Sequence, residues 1–277
     1  MEITTTVAGL RQRLAKETAI AFVPTMGNLH AGHLQLVEVA KHHGRCVVVS
    51  IFVNPLQFGA NEDLASYPRT LDADCEKLQA AGVNVVFAPS EAEMYPVEQT
   101  ITVNPPPIAN ELCGAARPGH FAGVATVVLK LFNMVQPQVA VFGKKDFQQL
   151  FIIRELVKQL NLPIAIIGVD TKRDENGLAL SSRNGYLSAA QRLEAPRLQR
   201  ALQLVVEAAK KGEQDFAAIE AQTAQYLTQL GWIVDYVSIR SAQTLLPAEN
   251  TERQLVVLAA ARLGKTRLID NLEFSLD

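Results

Sequence analysis

Residues 20–43 read IAFVPTMGNLHAGHLQLVEVAKHH, and this stretch decides the fold. It opens on an apolar run (20–24), crosses a turn holding Gly27, His30, Gly32 and His33, and ends in a segment (33–43) whose Leu36, Val39 and Ala40 recur at helical spacing. A run that is apolar at successive positions predicts a strand covered on both faces, as in a parallel sheet. The same alternation continues outward. Residues 45–53, 84–88, 138–142 and 163–169 read as further strands, and 71–81, 121–135 and 147–160 as helices. Strand and helix in this order predict an α/β fold with a doubly wound parallel sheet. Beyond about residue 171 the pattern changes. Helices are expected over 188–211, with Ser188 as N-cap, and over 216–230, then strands over 233–239, 254–260 and 266–274, which together make a smaller C-terminal α+β domain. The division falls in the 172–177 turn, giving domains 1–171 and 172–277.

Hydrophobic residues make up 48% of the 277 and charged residues 19%, which excludes a disordered chain. Lys and Arg total 26 against 28 Asp and Glu, so the chain has no general affinity for a polyanion and no nucleic-acid partner is expected. Cys46, Cys75 and Cys113 form no CxxC pair, which excludes a zinc ribbon or disulfide scaffold and suits incidental thiols in a reducing compartment. The opening MEITTTVAGLRQRLAKE lacks the apolar core of a secretory signal, and the apolar run at 46–53 is far too short to span a bilayer. A cytoplasmic protein with no membrane partner is expected.

The chemistry is expected where the first apolar strand ends. In open α/β sheets ligands bind at the carboxyl ends of strands, where the next helix presents amides and a positive dipole. His30 and His33 sit together there, and Gly32 would let the backbone approach a phosphate. Gly27 and Gly32 have the glycine spacing of a P-loop, but His33-Leu34 stands where Lys-Ser/Thr is required. A zinc site would need more ligands, and His42, His43 and His120 have no suitable spacing. The HxGH signature of nucleotidylyltransferases fits, and no GxGxxG follows the strand to suggest a dinucleotide oxidoreductase. Two more donor clusters follow later strands. One is Gly143-Lys144-Lys145-Asp146, with Gln149 one turn beyond Lys145 and Asp146 a possible helix cap. The other is Leu180-Ser181-Ser182-Arg183. Residues 53–59, VNPLQFG, add neutral amides suited to a hydroxylated substrate, and 59–70, with Asn61, Glu62, Asp63 and Arg69, reads as a loop able to close over ligands.

Taken in order, PTMGNLHAGH (24–33), VSIFVNPLQF (49–58), YPRTL (67–71), RPGHFAGVATVV (117–128), FGKKDFQQL (142–150), LSSRNGYL (180–187) and AARLGKTRLIDN (260–271) resemble the pantothenate synthetase (pantoate–β-alanine ligase) family of the HxGH superfamily. The resemblance implies a Rossmann-like first domain whose ATP site the second closes over. It also implies a ligase that condenses D-pantoate with β-alanine in pantothenate biosynthesis, through a pantoyl adenylate, with release of AMP and pyrophosphate, Mg2+ as cofactor, and a homodimer. By motif, ATP would be bound by Met26, Gly27, Asn28, Leu29, His30, Ala31, Gly32, His33, Gly143, Lys144, Lys145, Asp146, Lys172 (through its backbone), Leu180, Ser181, Ser182 and Arg183. His33 matches the proton donor, and His30, Lys145 and Arg183 are expected beside it in catalysis. Gln57 would contact pantoate and β-alanine, and Gln149 pantoate. The metal ligand stays open, with Asp72 or Asp74 as candidates beside a plain solvated helix face. Two departures from the family pattern stand out: Lys144 replaces an expected Glu, and Cys113 replaces another beside the Arg117 region.

Overall fold

The computed structural model describes residues 1–60, 62–249 and 251–276; Asn61, read above as part of the 59–70 loop, lies outside them. The first half of the chain runs β1 (Glu2–Thr4), α1 (Val7–Leu14), β2 (Ile20–Thr25), α2 (Ala31–His43), β3 (Cys46–Ile51), α3 (Leu71–Ala80), β4 (Val85–Phe87) and α4 (Glu91–Met94). It continues through α5 (Cys113–Ala116), α6 (His120–Val135), β5 (Val139–Gly143), α7 (Phe147–Gln159) and β6 (Ala165–Val169). Among the described residues these strands form one six-stranded sheet, ordered β1-β4-β3-β2-β5-β6, in which every neighbouring pair is parallel.

The unbroken apolar runs follow from cover on both faces. Ile20 and Phe22 of β2, with Cys46 and Val48 of β3, pack against Leu10 of α1, Val128 and Phe132 of α6 and Ile153 of α7. The alternate residues Ala21, Val23, Val47 and Val49 pack against Leu36, Val37 and Ala40 of α2 and Leu78 of α3. The strands and helices expected up to residue 169 are all present. β1, α1, α4 and α5 add to that pattern: β1, α4 and α5 have three or four residues, too few to carry a period, and α1 is a short helix of eight.

The second half holds α8 (Ala189–Glu194), α9 (Arg197–Lys210), α10 (Phe216–Gln229) and an antiparallel sheet of β7 (Ile233–Ser241), β8 (Gln254–Leu263) and β9 (Thr266–Ser275). The single helix expected over 188–211 is two: Pro196 lacks an N–H and ends the first. Ser188 caps it as expected, its Oγ accepting from the Gln191 N–H at 3.3 Å. One face of the small sheet (Leu255, Val257, Ala259, Ala261) packs on α9 and α10. From the other face, Val256 and Leu258 join Ile108, Leu112, Phe147 and Ile152, so the small sheet docks on the first through an apolar contact. Among the described residues no helix is long and apolar enough to cross a membrane, and the cysteines are free thiols.

Candidate functional site

The strand order reverses between β2 and β5, which are neighbours although everything from α2 to α6 intervenes in sequence. At such a switch point the connections leaving two adjacent strands diverge to opposite faces and leave a crevice beyond their carboxyl ends. Here the connections are the HxGH turn after β2 and the Gly143–Asp146 turn after β5. A cleft of about 190 Å³ opens there, lined by Met26, His30, Gly32, His33, Gly143, Lys145, Asp146, Gln149, Lys172 and residues 180–183. It therefore gathers the three donor clusters that lie far apart in sequence.

His30 is the N-cap of α2. Its Nδ1 accepts from the Gly32 N–H at 3.1 Å, and the His33 Nδ1 accepts from the His30 N–H at 3.3 Å. With both Nδ1 atoms engaged as acceptors, each neutral ring carries its proton on Nε2. The rings lie 4.1 Å apart by centroid. Burial, then the Lys145 ammonium, lowers His30 to about 4; burial, then His30 and Lys145, lowers His33 to about 3. Near neutral pH the pair presents two N–H donors and no charge. Gly32 has a reason beyond close approach to a phosphate: a Cβ there would lie 2.9 Å from the His30 ring.

The expectation of free helix amides is met only in part, since most amides of this turn already have acceptors. The N–H groups of Asn28 and Leu29 bond the carboxylate of Asp74 at 2.8 and 2.7 Å, and those of Gly27, His30, Gly32 and His33 have acceptors within the turn. Positive character in the cleft thus comes from side chains and from the dipole of α2. Asp74 is also neither a solvated carboxylate nor an available metal ligand. It is 0% exposed, accepts in addition from the Thr70 hydroxyl, and holds the left-handed Gly27-Asn28 turn (φ 83° and 50°) in place. Asp72 is exposed on α3. Among the described residues no three His, Cys, Asp or Glu side chains gather to hold an ion.

On the β5 side, Lys145 lines the cleft with its Nζ 3.6 Å from Asp146. Asp146 does not cap α7 with its side chain. Its side chain is half exposed at the cleft, where the surrounding protein works to raise the carboxyl but Lys145, then Arg183 and Arg117, prevail and hold it below the usual carboxylate range. Gln149 shares the cleft with Lys145, as their spacing predicts. Lys144 does not: its Nζ pairs with Asp170 at 2.9 Å and with Glu273 at 2.7 Å, and it lines neither cavity.

In the third cluster Ser182 Oγ donates to the Asn28 carbonyl at 3.2 Å, tying this arm to the HxGH turn. The Arg183 guanidinium makes a two-point contact with Asp63 at 3.0 and 3.2 Å. Arg117 likewise grips Glu62 through two nitrogens. Two neighbouring loop carboxylates thus occupy the two arginines that an anionic ligand would seek, a pairing no periodicity could signal.

Gln57 lies one layer behind the cleft. Its Nε2 lies 3.0 Å from Met26 Sδ, its Oε1 accepts from Asn54 Nδ2, and its carbonyl accepts from His120 Nδ1 at 2.8 Å. This turn packs directly on α6 because residue 123 is Gly: a Cβ there would stand 2.2 Å from the Leu56 carbonyl oxygen. Burial, then Arg117, lowers His120 to about 4.

A larger cavity of about 500 Å³ adjoins the cleft. It shares Lys145, Asp146, Gln149, Ser181 and Arg183 with it and is closed from the far side by Arg262, Lys265 and Arg267 of the small sheet. Cys113 lines it, its Sγ 3.1 Å from the Tyr236 hydroxyl and 3.6 Å from Arg267.

Residues 2–273 match the family model described as Pantoate-beta-alanine ligase. The chain is 68% identical over 276 residues to a pantothenate synthetase of Methylobacillus flagellatus, covering 100% of this chain and 99% of that one. It is 62% identical over 274 residues to one of Thiobacillus denitrificans, covering 99% and 97%. Among solved structures, the pantothenate synthetase of Thermus thermophilus superposes with a TM-score of 0.93 at 47% identity, covering 98% of this chain and 99% of that one. The pantoate-beta-alanine ligase of Francisella tularensis, complexed with beta-gamma ATP and beta-alanine, superposes with a TM-score of 0.84 at 34% identity, covering 98% and 97%.

Proposed function

The chain belongs to the pantoate–β-alanine ligase family, and from that premise we propose that it joins D-pantoate to β-alanine with ATP, through a pantoyl adenylate, releasing AMP and pyrophosphate. The observation that carries this reading is the meeting of His30, His33, Lys145, Ser181, Ser182 and Arg183 on one cleft at the switch point of the sheet. The Francisella relative is complexed with beta-gamma ATP and beta-alanine, which match two of the three substrates proposed here.

The chemistry follows from the donor set. A pantoate carboxylate oxygen attacks the α-phosphorus in line, the bond to the bridging oxygen breaks, and pyrophosphate leaves. Charge grows on the leaving and nonbridging oxygens, where Lys145, Arg183, the serine hydroxyls and the imidazole Nε2–H groups can meet it. His30 and His33 act first as hydrogen-bond donors. Their low pKa values leave them uncharged until a triphosphate raises them, after which His33 can pass a proton to the departing group. The amine of β-alanine then attacks the acyl carbon of the mixed anhydride, loses a proton, and expels AMP. No covalent enzyme intermediate is needed; orientation and exclusion of water supply the rate.

ATP takes the positions of residues 26–33, 143–146, 172 and 180–183, with Asp63 released from Arg183 as the phosphates arrive. Lys144 belongs to this set by motif only, since its side chain pairs with Asp170 and Glu273. Gln149 and Gln57 hold pantoate, and Gln57 also the β-alanine. Magnesium enters with ATP as part of the substrate, held by the phosphates. A homodimer, a cytoplasmic location and a division at 171/172, with the second domain closing over ATP, complete the proposal.

The test is product analysis by mass spectrometry with ATP, Mg2+ and pantoate, with and without β-alanine. The ligase yields pantothenate, AMP and pyrophosphate in equal amounts. An adenylyltransferase on the same fold yields pyrophosphate without AMP, and a nucleotide-sensing module yields none.

A further inference from the structure

The tail motif AARLGKTRLIDN has no role in the scheme above, yet Asn271 touches one phosphate arm directly and Asp270 reaches towards the other through Arg173. Asn271 of β9 is 6% exposed, and its Nδ2 donates to the carbonyls of Lys144 and Lys145, both at 2.9 Å. Its neighbour Asp270 is 4% exposed and receives Arg173 through two nitrogens at 2.7 and 2.8 Å, and the Asn271 N–H at 2.8 Å. Arg173 in turn donates to the Gly177 carbonyl in the turn that returns the chain to Ser181, and bridges to Ala179.

Apart from the ion pairs of the Lys144 side chain with Asp170 and Glu273, the Lys144–Asp146 turn has no side-chain cap of its own. Gly143 provides no side-chain cap, and Asp146 provides none to α7. Two successive carbonyls facing one side-chain amide fix the plane of the turn, and that plane sets where the Lys145 side chain leaves the backbone. The amide can satisfy both only from the far side of the domain contact, 126 residues away in sequence.

We infer that Asn271 is a positioning residue for the reaction: its carboxamide, presented by the small C-terminal sheet, aims Lys145 into the nucleotide cleft. Asp270, through Arg173, holds the Gly177–Ala179 turn that leads into the Ser181–Arg183 arm. The small sheet is then part of the template that brings the two arms to one ligand, as well as a cover. This inference rests on the reading of Lys145 as a phosphate ligand.

The test is a double-mutant cycle on pantoate-dependent exchange of pyrophosphate into ATP, with thermal unfolding followed in parallel. Lys145→Ala should lose on the order of 10²–10³ in rate, the scale of one donor aimed at developing charge. Asn271→Ala should lose about 10²-fold in kcat, the scale of misplacing a group by about 1 Å, with KM for ATP changed far less. The double variant should be no slower than Lys145→Ala alone. Losses that multiply, or an Asn271→Ala rate within about twofold of the parent, overturn the inference while leaving Lys145 in place. A Lys145→Ala rate equal to the parent overturns the reading beneath it, which is a distinct result. Should Asn271→Ala fail to fold, Asn271→Asp keeps the volume but turns acceptors on both carbonyls. It should show the same loss in kcat, and full activity in it sinks the proposal.

Discussion

The junctions after β2 and after β5 serve one cleft but are held in opposite ways. After β2 the HxGH turn largely builds itself: His30 and His33 cap the helix they begin, and each engages a backbone amide within three residues. After β5 the Lys144–Asp146 turn lacks a cap of its own and borrows Asn271 from the far sheet. A locally stapled site announces itself as a motif. A site stapled from a distance shows only the residues that will do the work, and the residues that aim them look like ordinary strand.

Four measurements would break or sharpen that contrast. The largest effect is expected from the self-built junction. His30→Ala or His33→Ala should lose on the order of 10²–10³ in adenylation rate, since each removes both an Nε2–H donor and half of the capping box. An unchanged rate of pyrophosphate release in both variants would take the imidazoles out of the mechanism.

Next is Asp74, the carboxylate of α3 that anchors two amides of that junction. Asp74→Ala leaves the amides of Asn28 and Leu29 without an acceptor and should cost about 3 kcal/mol in denaturant unfolding. A cost below about 1 kcal/mol would show that the turn needs no outside anchor.

The third concerns pH. His30, His33 and His120 have folded-state values near 4, 3 and 4, below the ordinary value of about 6.5. The unfolded chain therefore binds more protons between those limits. Their contribution is complete above about 6.5 and falls as pH drops towards 4. Replacing His30 and His33 by Gln should flatten the stability profile across that window, and an unchanged slope would mean the rings titrate normally when folded.

The smallest effect belongs to Lys144→Glu, which exchanges two partly exposed ion pairs for repulsion with Asp170 and Glu273. About 1 kcal/mol of stability should be lost, with adenylation within about threefold of the parent. A collapse of activity would mean that the borrowed junction depends on this side chain too.

Much of the fold is legible in the sequence because burial on both faces leaves an unmistakable trace. The runs in β2, β3 and β5 read as parallel strands, whereas the switch point between β2 and β5 rests on a strand order that only the structure supplies. The HxGH turn, Lys145, Gln149 and Ser181–Arg183 are legible as donors placed after strands. Pro196 stands in plain view, but the helical period running on either side of it hides the break it makes. Asp74 reads as a helix-face acid because its partners, 45 and 46 residues back, are backbone amides that carry no sequence signal. The pairing of Glu62 with Arg117 and of Asp63 with Arg183 is hidden for the same reason: contact across 55 and 120 residues depends on how the layers close.

A crystal structure with a non-hydrolysable ATP analogue tests the central claim most directly. The account predicts the Nε2 atoms of both imidazoles, the Lys145 ammonium and the Arg183 guanidinium within hydrogen-bonding distance of one triphosphate, with Asp63 displaced. A triphosphate seated instead in the larger cavity on Arg262 and Lys265, with His30, His33 and Lys145 untouched, would contradict it.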